Sequence, residues 1–393
     1  MPERLDLPAG SGSGGGVVKL VLGPAIAVVL ALVVGEFGLA AIGWGSLYQS
    51  GISRVFDPVL LFRLPSNYGP GIDEDGFRNP TSQGPFDVVF LGDSHTYGYG
   101  VVPAESLPRQ FERLTGLQAY SFGMGGFGPA QYYALADRAL ALRPRYLVLV
   151  SFLGNDLADA CVIANRLPYW QERYRIDGIA TANCGSAGTA PAREAPPSHL
   201  DRMKSALKST RVGSVLNQFG YLPAKAWLTF RVLKKAPAGT LLVDDERVFS
   251  VFNVWGNDKV HAQDGLLITL HLLATVFDKA VAAGVCPMLL LLPSKENLLL
   301  EYLQDRGYAL PAGFILSVAA EREFARQLAD LALQHGVTPI DPRPDLLEAF
   351  RTAGPLYPAD LDGHPFAKGY AAYALALQRY LSVLPCASQD VRG

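Results

Sequence analysis

The chain predicts an α/β fold: a three-layer α/β/α sandwich with a central parallel sheet, preceded by one N-terminal transmembrane helix. Three observations carry this reading. Short apolar runs alternate with segments of helical spacing before about residue 156 and again after about residue 265, and strands separated by helices build a parallel sheet covered on both faces. Two of these runs, RYLVLVSFL (145–153) and VCPMLLLLP (285–293), are apolar almost throughout, as strands buried on both faces are. Residues 17–44 are nearly all apolar, and a helix crosses a bilayer with roughly 20 such residues.

Length and composition set the bounds. The chain has 393 residues, 49% of them hydrophobic, enough for one large domain or two ordinary ones. A formal charge of −2 argues against a nucleic-acid partner, whose affinity would need many phosphate contacts. The sequence holds no CxxC pair, no HExxH and no Gly-Lys-Ser/Thr, so no metal and no cofactor is expected.

The elements follow in order. Residues 1–16, rich in Gly and Ser, read as a flexible tail. In the apolar segment 17–44, Pro24 falls in the first turns, where a missing N–H is tolerable, and Glu36 falls near the far end. Arg4 before the span, Lys19 at its start, and Arg54 and Arg63 after it give a small charge bias, so orientation rests weakly on the positive-inside rule. A cleavable signal peptide is the rival reading; the long apolar run favours an anchor. Residues 45–85 form a turn-rich connector with room for a short strand or two. The main domain spans 86–385: strand 86–91, helix 106–114, strand 117–122, helix 129–142 and strand 145–153. An insertion follows at about 157–260. Cys161 and Cys184 bracket a loop-like stretch of it where a disulfide could form outside the cytoplasm. Its basic residues Lys204, Lys208, Arg211, Lys225, Arg231, Lys234 and Lys235 fit a solvated helix face, or contact with acidic glycan or lipid headgroups. The alternation resumes with helix 265–283, strand 285–293 (Cys286 as a core residue), helix 321–335, strand 336–341 and helix 365–384. Residues 386–393 are a tail containing Cys386.

The chemistry centres on LGDSHTYGYG (91–100), where Ser94 follows the first core strand. Ligands collect at the carboxyl ends of strands in such sheets. A serine hydroxyl needs a base at neutral pH. Of six histidines, His364 lies in a Pro- and Gly-punctuated loop, YPADLDGHPFAKGY, between the last strand and the last helix. Asp362 could accept from its ring and fix the tautomer; Asp360 is a poorer candidate. His95 adjoins Ser94, but its side chain should point elsewhere. Two more strand ends supply donors for an oxyanion: the glycine loop SFGMGGFG (121–128) and FLGND (152–156), with Asn155. Asp93 is expected to hold the serine turn and Asp156 to cap a following helix. Gly123, Gly125 and Gly128 also spell a dinucleotide-binding pattern. It follows the second core strand rather than the first, and it leaves the serine, asparagine and histidine unexplained.

GDSH, the glycine loop, GND and DGH fall in the order of the four blocks of the SGNH hydrolases, the GDSL esterase/lipase superfamily. The chain resembles that family over most of 86–156 and 336–385. The resemblance implies Ser94 as nucleophile, His364 as base and Asp362 as its partner. It implies an oxyanion hole from the Ser94 amide, Gly126 and Asn155, with Gly123 and Gly125 as rivals for the glycine. Many members carry the acid three residues before the histidine, where this chain has Leu361. An aspartate two before resembles the alginate O-acetyltransferase branch. GND also lacks the usual extra residue between Gly and Asn. The expected function is a serine esterase or acylhydrolase acting on O-acyl groups of an envelope glycan or lipid. It would be anchored in the cell membrane by the N-terminal helix, with the catalytic part on the periplasmic side. The alternatives are an O-acetyltransferase acting on a surface polysaccharide and a non-catalytic glycan-binding module.

Overall fold

The computed structural model describes residues 14–41, 54–66, 71–79, 84–179, 184, 212, 240–243, 247–250, 259–310, 312–358 and 362–381. Helix α1 (Gly14–Ala41) comes first, then an antiparallel hairpin of β1 (Val55–Asp57) and β2 (Leu61–Arg63). The domain continues β3 (Val88–Leu91), α2 (Ser94–Tyr97), α3 (Leu107–Thr115), β4 (Ala119–Ser121), α4 (Pro129–Ala141), β5 (Tyr146–Phe152), α5 (Asp156–Arg166) and α6 (Pro168–Ile176). A small hairpin, β6 (Thr240–Val243) and β7 (Arg247–Ser250), precedes α7 (Lys259–Ala282), β8 (Cys286–Leu292), α8 (Lys295–Asp305), α9 (Ala312–Gln334), β9 (Thr338–Ile340), α10 (Arg343–Ala353) and α11 (Ala367–Leu381).

Five strands form one parallel sheet in the order β4-β3-β5-β8-β9. Every residue of β3, β5 and β8 is buried, which is why those segments read as continuous apolar runs. Alternate side chains leave opposite faces of a strand. Val89, Leu91, Leu147, Leu149, Leu289 and Leu291 pack with α4, α5, α7 and the C-terminal half of α9. Val88, Phe90, Val148, Val150, Met288 and Leu290 pack with α3, α8, α10, α11 and the start of α9. The expected sandwich about a parallel sheet is therefore present.

The connector also belongs to this structure. Outward-facing groups of the edge strand β4 find side-chain partners. Asn79 Oδ1 accepts from Ser121 N–H at 2.8 Å, and its Nδ2 donates to Ser121 O at 3.1 Å. Ala119 N–H donates to Glu112 Oε1 at 3.2 Å, and Arg109 donates to Ala119 O. Asp73 in turn accepts from Asn79 Nδ2 and from the Tyr120 hydroxyl.

Several expectations change. The insertion expected from about 157 opens with helices α5 and α6, and α5 packs against α4 and α7 as part of a core layer. Its buried stripe, Leu157, Ala160, Cys161 and Ile163, has helical spacing that the preceding GND turn obscures. Helices α8 and α10 were not expected at all. His364 consequently lies between α10 and α11 rather than directly after the last strand. Cys161 and Cys184 form a disulfide. Cys286, expected as a plain core residue, is disulfide-bonded as well, to a partner outside the described residues. The basic residues between 200 and 236, Cys386, Asp360 and Leu361 also lie outside them.

Helix α1 (Gly14–Ala41) overlaps the expected 17–44 span over residues 17–41, and its stretch Ala27–Leu39 is apolar. Among the described residues, the helix long and apolar enough to cross a membrane is Asp264–Ala282, within α7, whose Ile268, Leu272, Leu273, Val276 and Phe277 are buried in the core. Glu36 Oε2 accepts a hydrogen bond from Val212 N–H at 3.1 Å.

The Cys161–Cys184 bridge closes a loop of sequence separation 23. Replacing both cysteines with serine is expected to cost about 3 kcal/mol of stability, read as a lower Tm without reductant. An unchanged Tm would show that the bridge does not constrain the domain.

Candidate active site

Strand β3 ends at Leu91 and the chain turns into the single-turn helix α2, with Ser94 at its first position. Asp93 caps this turn: its Oδ1 accepts from His95 N–H at 2.8 Å, as an N-cap carboxylate does. So short a helix leaves its last carbonyls open. Buried Arg78 donates from Nη1 to the helix's last carbonyl, Tyr97 O, at 3.0 Å, and binds the turn that follows through Gly98 O (Nη1, 2.6 Å) and Val101 O (Nη2, 2.6 Å). Ser94 is thus gripped at both ends of its turn, while its own side chain stays half-buried.

His364 reaches it from the far end of the chain. Its Nε2 lies 2.8 Å from Ser94 Oγ across a sequence separation of 270. Its Nδ1 lies 2.6 Å from Asp362 Oδ1, which also accepts from His364 N–H at 3.0 Å. The imidazole packs against the rings of Tyr99 and His95, with centroids at 4.5 and 4.8 Å. The His95 ring, expected to point elsewhere, borders the site. It sits against His364 and, at 3.9 Å, against Phe152.

The Asp362 carboxyl is largely buried, which works to raise its pKa. Hydrogen bonds from the His364 ring and amide, with the Lys295 charge, outweigh that and hold it below the ordinary carboxylate value. An ionised Asp362 keeps the proton on Nδ1 and leaves the Nε2 lone pair toward Ser94. Lys295, itself buried, donates from Nζ to Asp362 O at 3.0 Å.

The two loops expected to hold an oxyanion lie at neighbouring strand ends. Asn155 follows β5 at the start of α5; its side chain makes no capping bond, and its Oδ1 is buried with no hydrogen-bond partner among the described residues. Gly126, in the loop after β4, is exposed, with φ +83°, a conformation glycine adopts without strain. Gly123 presses this loop onto the serine turn. A Cβ there would lie 2.7 Å from Thr96 Cβ and from Tyr97 N. Close approach thus gives glycines of this loop a structural reason independent of any phosphate. With β3 central and β4 and β5 on its two sides, the site falls where the strand order reverses, a usual place for ligands in open parallel sheets.

An acidic cluster lies beneath. Burial works to raise the Asp93 pKa, but His95 and His364 more than offset it, and the carboxyl is held below its ordinary value. For Asp156, burial and then the Asp93 charge push it well above. Asp156 does not cap α5 as expected; its oxygens accept from Ser151 Oγ at 2.7 Å and from the Tyr132 hydroxyl at 3.1 Å. Asp159, pushed up to about 7 by burial and by Asp93, has a buried Oδ2 with no partner among the described residues. The buried Asp93 charge works against ionisation of both neighbours, as like charges do.

Sequence reasoning missed Arg78, Lys295 and Asp159. A single arginine in a turn-rich connector carries no signal for the first. A lysine directly after an apolar strand, at a sheet edge already suspected, was the available cue for the second.

The fold and site define an α/β domain with a Ser-His-Asp constellation at the carboxyl edge of a parallel sheet. No family model and no curated protein matches the chain. Among solved structures, it is similar to a lipolytic protein of the G-D-S-L family from Desulfitobacterium hafniense, with 13% identity, 74% of this chain and 97% of that one covered, and a TM-score of 0.37. It is similar to an acetyl-xylooligosaccharide esterase from Geobacillus, with 12% identity, 78% and 97% covered, and a TM-score of 0.37. An acetyl xylan esterase matches at 13% identity, with 75% and 98% covered and a TM-score of 0.35. Likeness at this level carries no weight for the chemistry, which stands on the distances above.

The buried acids make stability pH-dependent. Asp159 has a folded pKa of about 7 against an ordinary value of 3.8. Its contribution is therefore fully present below the ordinary value and lost as pH rises through the folded one. Asp159→Asn should raise Tm relative to the unsubstituted chain more at pH 8 than at pH 5. Equal shifts at the two pH values would show that Asp159 does not titrate across this range.

Proposed function

We propose that the chain is a serine esterase of the SGNH type, an acylhydrolase acting on O-acyl groups of an envelope glycan or lipid. The observation that carries the reading is the continuous contact Ser94 Oγ–His364 Nε2–His364 Nδ1–Asp362 Oδ1, at 2.8 and 2.6 Å. In this reading Ser94 Oγ attacks the ester carbonyl while His364 Nε2 takes its proton. The carbonyl π electrons collect on oxygen, where the Ser94 and Gly126 amides and the Asn155 side chain donate to them. Collapse breaks the ester C–O bond, and the leaving alcohol takes the proton from His364. Water then attacks the acyl-serine, losing a proton to His364; collapse breaks the bond from the acyl carbon to Ser94 Oγ, which takes that proton back as the acid is released. Asp362 stays ionised and steadies the imidazolium in both halves.

A sugar hydroxyl in place of water would turn the same cycle into O-acetyl transfer. The aspartate two residues before His364 supports that second reading, through its resemblance to the alginate O-acetyltransferase branch. The membrane reading is supported by α1, a helix of 28 residues whose Val28, Val29, Leu30, Val33, Val34 and Phe37 are exposed. At 1.5 Å per residue such a helix is long enough for a hydrocarbon core of about 30 Å. Disulfide-bonded Cys161, Cys184 and Cys286 favour an oxidising compartment, outside the cytoplasm.

Hydrolysis of p-nitrophenyl acetate by the full chain in detergent tests the assignment. Ser94→Ala should lower kcat by about 10³-fold or more, and Asp362→Asn should lower it strongly with little change in KM. Ser94→Ala at the rate of the unsubstituted chain would remove the esterase reading. In the same assay, acyl groups appearing on an added glycan at the expense of free acid would favour transfer over hydrolysis.

A further inference from the structure

We propose that Arg54, in the connector, is a positioning residue for the oxyanion site: it fixes the Gly125–Gly126 peptide so that Gly126 N–H faces the reacting carbonyl. This rests on the esterase reading and adds to it a residue outside the four sequence blocks.

The geometry is specific. Arg54 Nη2 donates to Gly125 O at 3.1 Å. In a trans peptide the carbonyl and the following N–H point in opposite directions within one plane. A donor held on Gly125 O therefore also sets where Gly126 N–H points. Both guanidinium nitrogens, Nη1 and Nη2, lie 4.0 Å from the position a Cβ would take on Gly126, so the charge sits flush against that backbone.

The peptide needs such a restraint. It joins two glycines, the residues with the widest backbone freedom, and Gly126 has φ +83°. A free Gly-Gly peptide can rotate its N–H away from a substrate. Arg54 opposes this from a rigid base. Its guanidinium lies 3.8 Å over the Phe62 ring, and Phe62 packs against Phe127 with centroids at 5.7 Å. The hairpin that carries Phe62 is tied to the domain by Gln131 Nε2 to Leu60 O at 3.3 Å and Trp170 Nε1 to Val59 O at 2.7 Å.

The charge contributes as well. A hydrogen bond from a cation to a carbonyl is stronger than a neutral one, and it polarises the peptide so that its N–H becomes a better donor. Lysine could supply the charge but not the planar group that stacks on Phe62 while donating in plane.

The test uses the full chain in detergent with p-nitrophenyl acetate as substrate. Removing one oxyanion donor outright costs on the order of 10²–10³ in kcat, so loosening it by Arg54→Ala should lower kcat by about 10-fold or more, with KM within about 3-fold. The pH midpoint of kcat/KM should not move, because the His364–Asp362 pair is untouched. Added guanidinium ion should restore part of the lost kcat. Arg54→Lys, checked for an unchanged Tm, should remain below the unsubstituted rate and guards against an alanine variant that fails to fold. An unsubstituted kcat in folded Arg54→Ala or Arg54→Lys overturns the proposal, as does a loss confined to KM or one that shifts the pH midpoint. Ser94→Ala in the same assay keeps the two claims apart: background activity there with full activity in both Arg54 variants would refute only the role of Arg54.

Discussion

The 2.8 Å contact between Ser94 Oγ and His364 Nε2 is the constraint on which the rest of the site depends. Proton transfer tolerates little error in heavy-atom separation, yet the two groups are 270 residues apart. The structure meets this with several independent ties between the ends of the domain. Tyr370 donates from its hydroxyl to Tyr99 O at 3.1 Å, and Gln110 Nε2 donates to Ala367 O at 2.7 Å. Lys295 holds the Asp362 carbonyl from β8's side of the sheet. The histidine loop is bound to the serine side and to the middle of the sheet at once, so its position does not depend on one bond.

Electrostatics add a second layer. Asp93 is fully buried beside the serine, and burying a lone carboxylate is costly unless partners offset it. His95 and His364 do so. The consequence falls on Asp156 and Asp159, which keep protons beyond their ordinary range. The carboxylate that caps the Ser94 turn is thus also the charge that works against ionisation of two neighbouring carboxyls.

How much of this was legible in the sequence follows from how each feature is encoded. The buried strands could be read because a strand covered on both faces has no polar alternation to confuse the pattern, as at 146–152 and 286–292. The serine, histidine and aspartate could be read because each stands in a Gly-punctuated loop after a predicted element. Helices α8 and α10 were missed: KENLLLEYLQD and RPDLLEAFRTA mix charge and apolar residues in stretches that also resemble loop. Helix α5 was hidden by the turn that begins it. The supporting residues of the connector were not legible at all. Arg54, Arg78 and Asn79 occupy a segment rich in turn residues, and their partners are main-chain atoms 71, 19 and 42 residues away. A side chain that binds a distant backbone leaves no periodicity in its own neighbourhood.

That same segment bears on how the molecule meets others. An edge strand is ordinarily a template on which a foreign strand can assemble. Here the single amide of Asn79 imitates one rung of a ladder on Ser121, and Glu112 with Arg109 occupies the next on Ala119. A neighbouring copy arriving at β4 would find those rungs already taken. Growth of the sheet by strand addition from that side is blocked by three side chains, each reaching the strand from a segment that does not itself pair with it.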